Sequence, residues 1–186
     1  MGIWTNVHFD LQTLIKTFGY PLVWGIVFAE SGLLVGFLLP GDSLLFVAGF
    51  ICSLAKTGLD IRVMAFGCFV FAVVGDSVGY YTGKRFGRKL FDKEDSKFFK
   101  KKHLIAAEEF FDLQGKTAII LARFMPFVRT FAPIVAGIAA MRYQTFMQYN
   151  VVGGFVWAIG LTSLGYFLGK TIPPEQIDHY LLPIVL

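Results

Sequence analysis

The feature that most constrains this chain is an apolar run over residues 22–54 that also carries two carboxylates. Glu30 and Asp42 lie inside the run, and Pro40-Gly41 interrupts it between them. Hydrocarbon offers a backbone no hydrogen-bond partners, so a broken helix survives there only where protein or a water-filled cavity covers the break. An acidic side chain at that depth costs about 2.5–3.5 kcal/mol on insertion scales and marks a pathway or a binding site. The run therefore predicts a membrane protein with a buried polar centre.

Composition places the whole chain in the same class. Of the 186 residues, 55% are hydrophobic and 16% are charged, and the mean hydropathy is +0.62. These values lie outside the range of soluble domains. We expect an all-α polytopic protein of the cytoplasmic (inner) cell membrane that crosses it several times. Because the first charged residue is Asp10, the start lacks the basic region of a signal peptide, and we expect the N-terminus to be retained.

The sequence predicts a single membrane domain over residues 1–186. Its segments are an amphipathic interfacial helix (1–20), a first repeat (21–84), a basic amphipathic cytoplasmic loop (85–116), a second repeat (117–170), and a loop with the start of a last transmembrane helix (171–186).

The two ends of the chain carry separate expectations. Apolar residues recur at helical spacing from Ile3 to Phe18, which predicts a helix lying in the interface or packed on the protein itself. Tyr20-Pro21 is expected to end this helix. The last segment stops before a span is complete, so we expect a truncated C-terminus. Residues 84–102 are dense in Lys and Arg, which predicts a cytoplasmic loop by the positive-inside rule.

An internal repeat organises the spans. With a shift of 86 positions, residues 67–84 (GCFVFAVVGDSVGYYTGK) and 153–170 (GGFVWAIGLTSLGYFLGK) share nine of eighteen residues, and Pro40 falls on Pro126. Each repeat then consists of a broken re-entrant helical hairpin followed by one transmembrane helix, over 61–83 and 144–168 respectively. A hairpin adds no net crossing, so the second repeat is inverted relative to the first. The alternative for 22–39 is a full span followed by a short half-helix.

The second predicted hairpin covers residues 117–140. Pro126 and Pro133 remove backbone donors and disfavour helix at the preceding residues, Met125 and Ala132. We therefore expect helix breaks at both prolines, as at Pro40-Gly41 in the first hairpin.

The charged residues of the two hairpins are complementary. Glu30 and Asp42 come from the first hairpin, and Arg123 and Arg129 come from the second. The arginines offer forked donors suited to binding a substrate phosphate, and the carboxylates would exchange protons and counter-charge. The alternative is a structural ion-pair cluster that only holds the hairpins together. Asp76 is a secondary candidate, with the alternative that it reaches headgroup water near the end of its span.

Other chemistries find little support in the sequence. His8, His103 and His179 all lie outside the broken elements, and neither a P-loop nor a dinucleotide fingerprint is present. We expect no enzymatic activity, no catalytic residue, no metal, no cofactor and no nucleic-acid partner.

Two motifs resemble a known family. FLLPGDSLL at 37–45 and G-x-x-x-G-Y-x-x-G-K-x-x-G at 75–87 are similar to the DedA family of bacterial membrane proteins, also called SNARE-associated or VTT-domain proteins. The resemblance implies a lipid transporter with two opposed re-entrant hairpins. Some members return undecaprenyl phosphate to the cytoplasmic leaflet in dependence on the proton motive force. The acidic and arginine pairs important in the family fall on Glu30, Asp42, Arg123 and Arg129.

The leading hypothesis is a proton-coupled flippase of undecaprenyl phosphate. The alternatives are a general phospholipid scramblase and a non-transporting membrane assembly or structural protein. The expected partners are the lipid substrate and protons, and a second copy of the chain is a further candidate in a homo-oligomer.

Overall fold

The computed structural model describes residues 8–33, 41–54, 57–87 and 117–171, which are helical with no strand among them. The helices are α1 (His8–Gly32), α2 (Gly41–Ser53), α3 (Ile61–Thr82), α4 (Ala118–Ala122), α5 (Pro126–Ile138), α6 (Tyr143–Gly154) and α7 (Gly160–Thr171). A π-helical turn at Gly83–Gly87 prolongs α3, and another at Phe155–Ile159 joins α6 to α7. The all-α prediction is confirmed for this part of the chain.

Several predictions fall outside the described residues. They concern the first turn of the amphipathic helix (1–7), the break at Pro40, most of the basic loop (88–116) and the start of a last helix (172–186). These remain predictions.

Two continuous helices are long and apolar enough to cross a membrane. They run over Ile61–Gly87, 27 residues, and Tyr143–Thr171, 29 residues. At 1.5 Å per residue each covers about 40 Å, more than the roughly 30 Å of hydrocarbon in a bilayer. They coincide with the predicted spans at 61–83 and 144–168, each extended by a few residues. Length and apolar composition thus agree with a membrane protein.

Helix α1 contains a break one residue earlier than expected. Gly19 has φ 57° and ψ −137°, a left-handed conformation that glycine adopts without steric cost. Tyr20 and Pro21 belong to the helical stretch that follows, so the predicted end of the first helix is confirmed to within one residue, at Gly19 instead of at Tyr20-Pro21. Pro21 is tolerated because a proline in the first turn of a helix has no hydrogen-bond partner to lose.

The chain forms two compact units, each built from several parts of the sequence. The first contains the described residues 8–27, 41–54, 57–71 and 158–171, and the second contains 28–33, 72–87 and 117–157.

In the first unit, helices α2 and α7 pack with backbone against backbone. A Cβ atom placed on Gly49 of α2 would overlap the carbonyl oxygen of Thr162, and one placed on Gly165 of α7 would overlap that of Phe46. Small residues of this kind let helices approach closely where solvent does not drive them together. The α2–α7 contact therefore depends on glycine at both positions.

In the second unit, α5 packs in the same way against the end of α3. A Cβ on Gly83 would overlap the carbonyl oxygen of Ile134, and one on Gly137 would overlap that of Tyr80. In each unit, then, the short helix of one repeat packs on the long helix of the other repeat. The two short helices, α2 and α5, have 13 residues each. The structural repeat, its inversion and the re-entrant path remain predictions.

The two prolines of the second hairpin behave differently. Met125 is extended, with φ −111° and ψ 107°, and α5 begins at Pro126, so the break predicted there is confirmed. Pro133 lies inside α5, and Ala132 stays helical, so the break predicted there is wrong. A Cβ placed on Gly79 of α3 would lie 3.4 Å from Cβ of Pro133, so α3 lies next to this proline, and a helix tolerates a proline where a neighbouring helix covers the lost hydrogen bond.

Candidate functional site

Two ion pairs lie inside the second unit. Arg129 donates through Nη2 to Oε1 of Glu30, and Arg123 donates through Nη2 to Oδ2 of Asp76. Glu30, Arg123 and Asp76 are 2%, 4% and 5% exposed, and Arg129 is partly buried. Charges removed from water to this extent require partners of opposite sign. The four side chains therefore form a buried charge cluster, referred to below as the ion-pair cluster.

The break between α4 and α5 positions both arginines. Arg123 caps the end of α4, where its N–H donates to the carbonyl oxygen of Ile120 at 3.2 Å. Arg129 lies in the first turn of α5, where its N–H donates to the carbonyl oxygen of Met125 at 3.0 Å. The extended Met125 before Pro126 separates the two helices. A short sequence separation thus brings both guanidiniums to one place.

Asn150 on α6 is a second acceptor for Arg123. The Nη2 of Arg123 donates to Oδ1 of Asn150, while Nδ2 of Asn150 donates to the carbonyl oxygen of Val73 at 3.1 Å. A carbonyl accepts only, so the bond to Val73 assigns the amide nitrogen and turns Oδ1 towards the guanidinium. Asn150 is fully buried and therefore holds Arg123 from a fixed direction.

Trp157 joins the two ion pairs. The Cζ atoms of Arg123 and Arg129 lie 5.6 Å and 4.9 Å from the centroid of its ring. Both distances are within the range of cation–π attraction. The indole is buried, so it provides one aromatic surface shared by the two cations.

Glycines make room for this cluster. A Cβ on Gly153 would lie 3.1 Å from Cδ of Arg123, and one on Gly154 would lie 3.4 Å from its Nη2. On the other side, a Cβ on Gly32 would lie 2.9 Å from the carbonyl oxygen of Gly75. These positions allow the end of α6 to approach Arg123 closely and the end of α1 to approach the backbone of α3.

Two buried polar atoms next to the break between α4 and α5 make no hydrogen bond within the described part of the chain. They are Nε of Arg123 and Oγ1 of Thr130, a residue that is 1% exposed. Buried polar atoms of folded proteins are normally satisfied. The break region therefore retains hydrogen-bonding capacity that the described residues do not use.

The pairing within the cluster differs in part from the one expected. Glu30 pairs with an arginine of the second hairpin, as predicted. Arg123 pairs with Asp76, the secondary candidate, which is buried near the middle of the helix Ile61–Gly87. Asp42 lies in the first unit, at the second residue of α2, and its expected role remains a prediction.

Residue-level reasoning missed Asn150 and Trp157 as members of the site. Asn150 had a detectable signal, since an amide inside a long apolar span needs a buried partner. Trp157 had no such signal, because an aromatic residue in a membrane span usually contributes only apolar surface.

The sequence profile of the VTT domain matches residues 39–167, which is more than half of the chain. The chain belongs to the VTT-domain, or DedA, family. It is 44% identical over 181 residues to Protein DedA of Escherichia coli, a match that covers 95% of this chain and 82% of that relative.

Mycobacterial relatives of this DedA-family protein are also similar along most of their length. The uncharacterized membrane protein Rv0364 of Mycobacterium tuberculosis is 48% identical over 166 residues, covering 89% of this chain and 72% of its own. The uncharacterized membrane protein Rv2637 of the same organism is 36% identical over 167 residues, covering 88% and 75%. No solved structure matches significantly. Family membership and the two long apolar helices together identify a membrane protein.

Proposed function

We propose that this DedA-family protein moves a lipid with an anionic phosphate headgroup, a polyprenyl phosphate such as undecaprenyl phosphate, across the cytoplasmic membrane. The observation that supports the proposal is the ion-pair cluster, in which two guanidiniums share the ring of Trp157 and each carries one carboxylate. Two arginines at one place in an apolar protein are suited to a phosphate, because the planar fork donates two parallel hydrogen bonds to its oxygens.

The charge balance of the cluster supports a link to protons. Two guanidiniums and two carboxylates sum to zero, so an incoming phosphate adds net negative charge to a site of low dielectric. Protonation of a carboxylate removes one negative charge and frees its arginine for the phosphate. Glu30, paired with Arg129, is the first candidate for this exchange, and Asp42 is the second. The proton would be released together with the phosphate on the opposite side of the membrane. This exchange would couple transport to the proton motive force.

The apolar tail of such a lipid would stay in hydrocarbon. Large apolar side chains next to the break are strongly exposed, namely Leu121, Phe124 and Phe131. Their exposure suits contact with acyl or prenyl chains. The headgroup alone would then enter the polar cluster while the tail follows along the outer face of the second unit.

The test is transport by the purified protein in liposomes with labelled undecaprenyl phosphate in one leaflet, with and without an imposed proton gradient. Arg129→Ala and Glu30→Gln are expected to slow gradient-dependent movement by about ten- to hundredfold, because each removes a charged hydrogen bond of about 1.5–3 kcal/mol. Arg62→Ala removes an exposed arginine and is expected to transport at the wild-type rate. Asp42→Asn tests the second acidic residue.

Three outcomes would contradict the proposal. Equal movement of ordinary glycerophospholipids without a gradient would favour a general scramblase. Wild-type rates in folded Arg129→Ala and Glu30→Gln would exclude the ion-pair cluster as the site. Absence of movement of any lipid by folded protein would leave a structural role for the buried pairs.

A further inference from the structure

We infer that Asp76 and Asn150 are functional members of the phosphate site, where Asn150 positions Arg123 and Asp76 supplies the counter-charge that gives way to the phosphate. This inference rests on the function proposed above and assigns roles to two residues outside the pairs Glu30/Asp42 and Arg123/Arg129.

Two different residues position Arg123 and neutralise its charge. One nitrogen, Nη2 of Arg123, donates both to Oδ2 of Asp76 and to Oδ1 of Asn150. Asn150 is neutral and anchored to the carbonyl oxygen of Val73 at 3.1 Å, so its bond to Arg123 is the same whether Asp76 is charged or protonated. Arg123 therefore keeps its position when Asp76 changes its charge.

The charged groups around Asp76 define what its protonation does. Arg123 faces it from the end of α4 and Arg129 from α5, while Glu30 from α1 lies within electrostatic reach of Arg123. With both carboxylates ionised the cluster is neutral, and protonation of Asp76 leaves one net positive charge beside Arg123. A phosphate oxygen would then be attracted to a site that carried no net charge before.

Arg123 also has a donor available for the ligand. Its Nε is buried and makes no hydrogen bond within the described residues. A guanidinium has five N–H donors in a fixed fork. Binding of a phosphate oxygen at Nε would satisfy this atom without breaking the bond to Asn150.

The test transfers the carboxylate from position 76 to position 150, the two positions whose side chains accept a hydrogen bond from Arg123. The full chain is purified in detergent as wild type, Asp76→Asn, Asn150→Asp and the double variant with both changes. Binding of farnesyl phosphate, a short polyprenyl monophosphate, is measured by calorimetry from pH 5 to pH 8. The ratio of variant to wild-type affinity at each pH cancels the ionisation of the probe itself.

At pH 8 we expect Asp76→Asn to bind the probe about tenfold more tightly, since one opposing charge is gone. The ratio should fall towards one at pH 5, where Asp76 of the wild type takes up its proton on binding. Asn150→Asp adds a second opposing charge and should bind about tenfold more weakly at pH 8. The double variant restores the charge on the same guanidinium but lacks the Nδ2 donor to Val73, so its pH profile should return to that of the wild type while its affinity stays lower.

Each contrary outcome has a distinct meaning. Equal or weaker binding by folded Asp76→Asn at every pH, or a ratio that does not change with pH, would overturn the role of Asp76 while leaving the phosphate site intact. If Asp76→Asn does not fold, Asn150→Asp alone decides, and wild-type affinity in that variant would overturn the inference. Absence of binding by the wild type itself would overturn the proposed function.

Discussion

Tyr80 shows what a single side chain does in the second unit. Its hydroxyl donates to the carbonyl oxygen of Met141, and its buried ring stacks on Phe146 with centroids 4.7 Å apart. The accepting carbonyl follows Ala140, which has φ 53°, at the turn between α5 and α6. Tyr80 on α3 therefore stabilises this turn. It also stabilises the C-terminal end of α5, the helix that carries Arg129.

Replacing Tyr80 by Phe is expected to lower the free energy of unfolding by about 1–3 kcal/mol, because the carbonyl oxygen of Met141 loses a buried donor. The measurement is thermal unfolding in detergent. Tyr81→Phe is the matched control, since the neighbouring tyrosine is more than half exposed and its hydroxyl is free to meet solvent or lipid headgroups. Equal melting temperatures of the two variants would contradict this role of the hydroxyl.

At the level of single residues, sequence analysis succeeded where chemistry alone is informative. Glu30, Arg123 and Arg129 stand out because a charge in an apolar run requires a partner. The partner of Arg123 could not be predicted, because Asp76, Asn150 and Trp157 lie on other helices and only packing brings them near. The alternative for Asp76 depended on where its helix ends, which local propensity defines poorly.

Among the elements, the two short helices depend on close contact at glycines. Helix α2 meets α7 at Gly49 and Gly165, and α5 meets α3 at Gly83 and Gly137. In lipid, apolar side chains gain nothing by leaving the solvent, so packing of backbone on backbone holds helices together. The same contact occurs once in each unit, which gives the repeat in the sequence a structural meaning.

Replacing Gly165 by Ala is expected to destabilise the protein by about 1–3 kcal/mol, the usual cost of overpacking, because the new Cβ would overlap the carbonyl oxygen of Phe46. Gly160→Ala in the same helix is the control, since a Cβ there meets no atom within 4 Å. That change should stabilise the helix by up to about 1 kcal/mol. Unfolding in detergent measures both, and equal effects would contradict close packing at Gly165.

Pro133 is a case in which the local sequence does not decide where a helix ends. Its sequence context predicts a break, yet α5 continues through it to Ile138. A proline removes one hydrogen bond but leaves the rest of the helix free to form. Helix α3 lies next to Pro133, since a Cβ placed on Gly79 would be 3.4 Å from Cβ of this proline, so the local preference of Pro133 does not decide the path of α5.

For the molecule as a whole, the outer surface of the long helices is apolar. The large side chains that are more than half exposed include Phe66, Phe155 and Phe167. A surface of this kind is unfavourable in water and favourable in hydrocarbon. It agrees with the two helices of membrane-spanning length and with the names of the mycobacterial relatives.

A charge placed on this surface should reveal its depth in the membrane. Val74 and Val63 are similarly exposed, at 47% and 45%, near the middle and near the start of the helix Ile61–Gly87. Val74→Arg is expected to reduce insertion at a cost of about 2.5–3.5 kcal/mol, whereas the arginine of Val63→Arg would reach the interface at little cost. The membrane-integrated fraction measures both, and equal fractions would contradict a span centred near Val74.

The sequence by itself determined the class of the protein, the two helices of membrane-spanning length, the repeated sequence pattern and the positions at which charge enters the apolar core. These follow from composition, helical length and the cost of a charge in hydrocarbon, all of which act locally along the chain. Only the tertiary structure decided which carboxylate neutralises which arginine, that Asn150 and Trp157 belong to the site, and that Pro133 remains helical. The reason is physical: these outcomes depend on distances between helices, which are set by glycine contacts and side-chain shape between residues far apart in the chain.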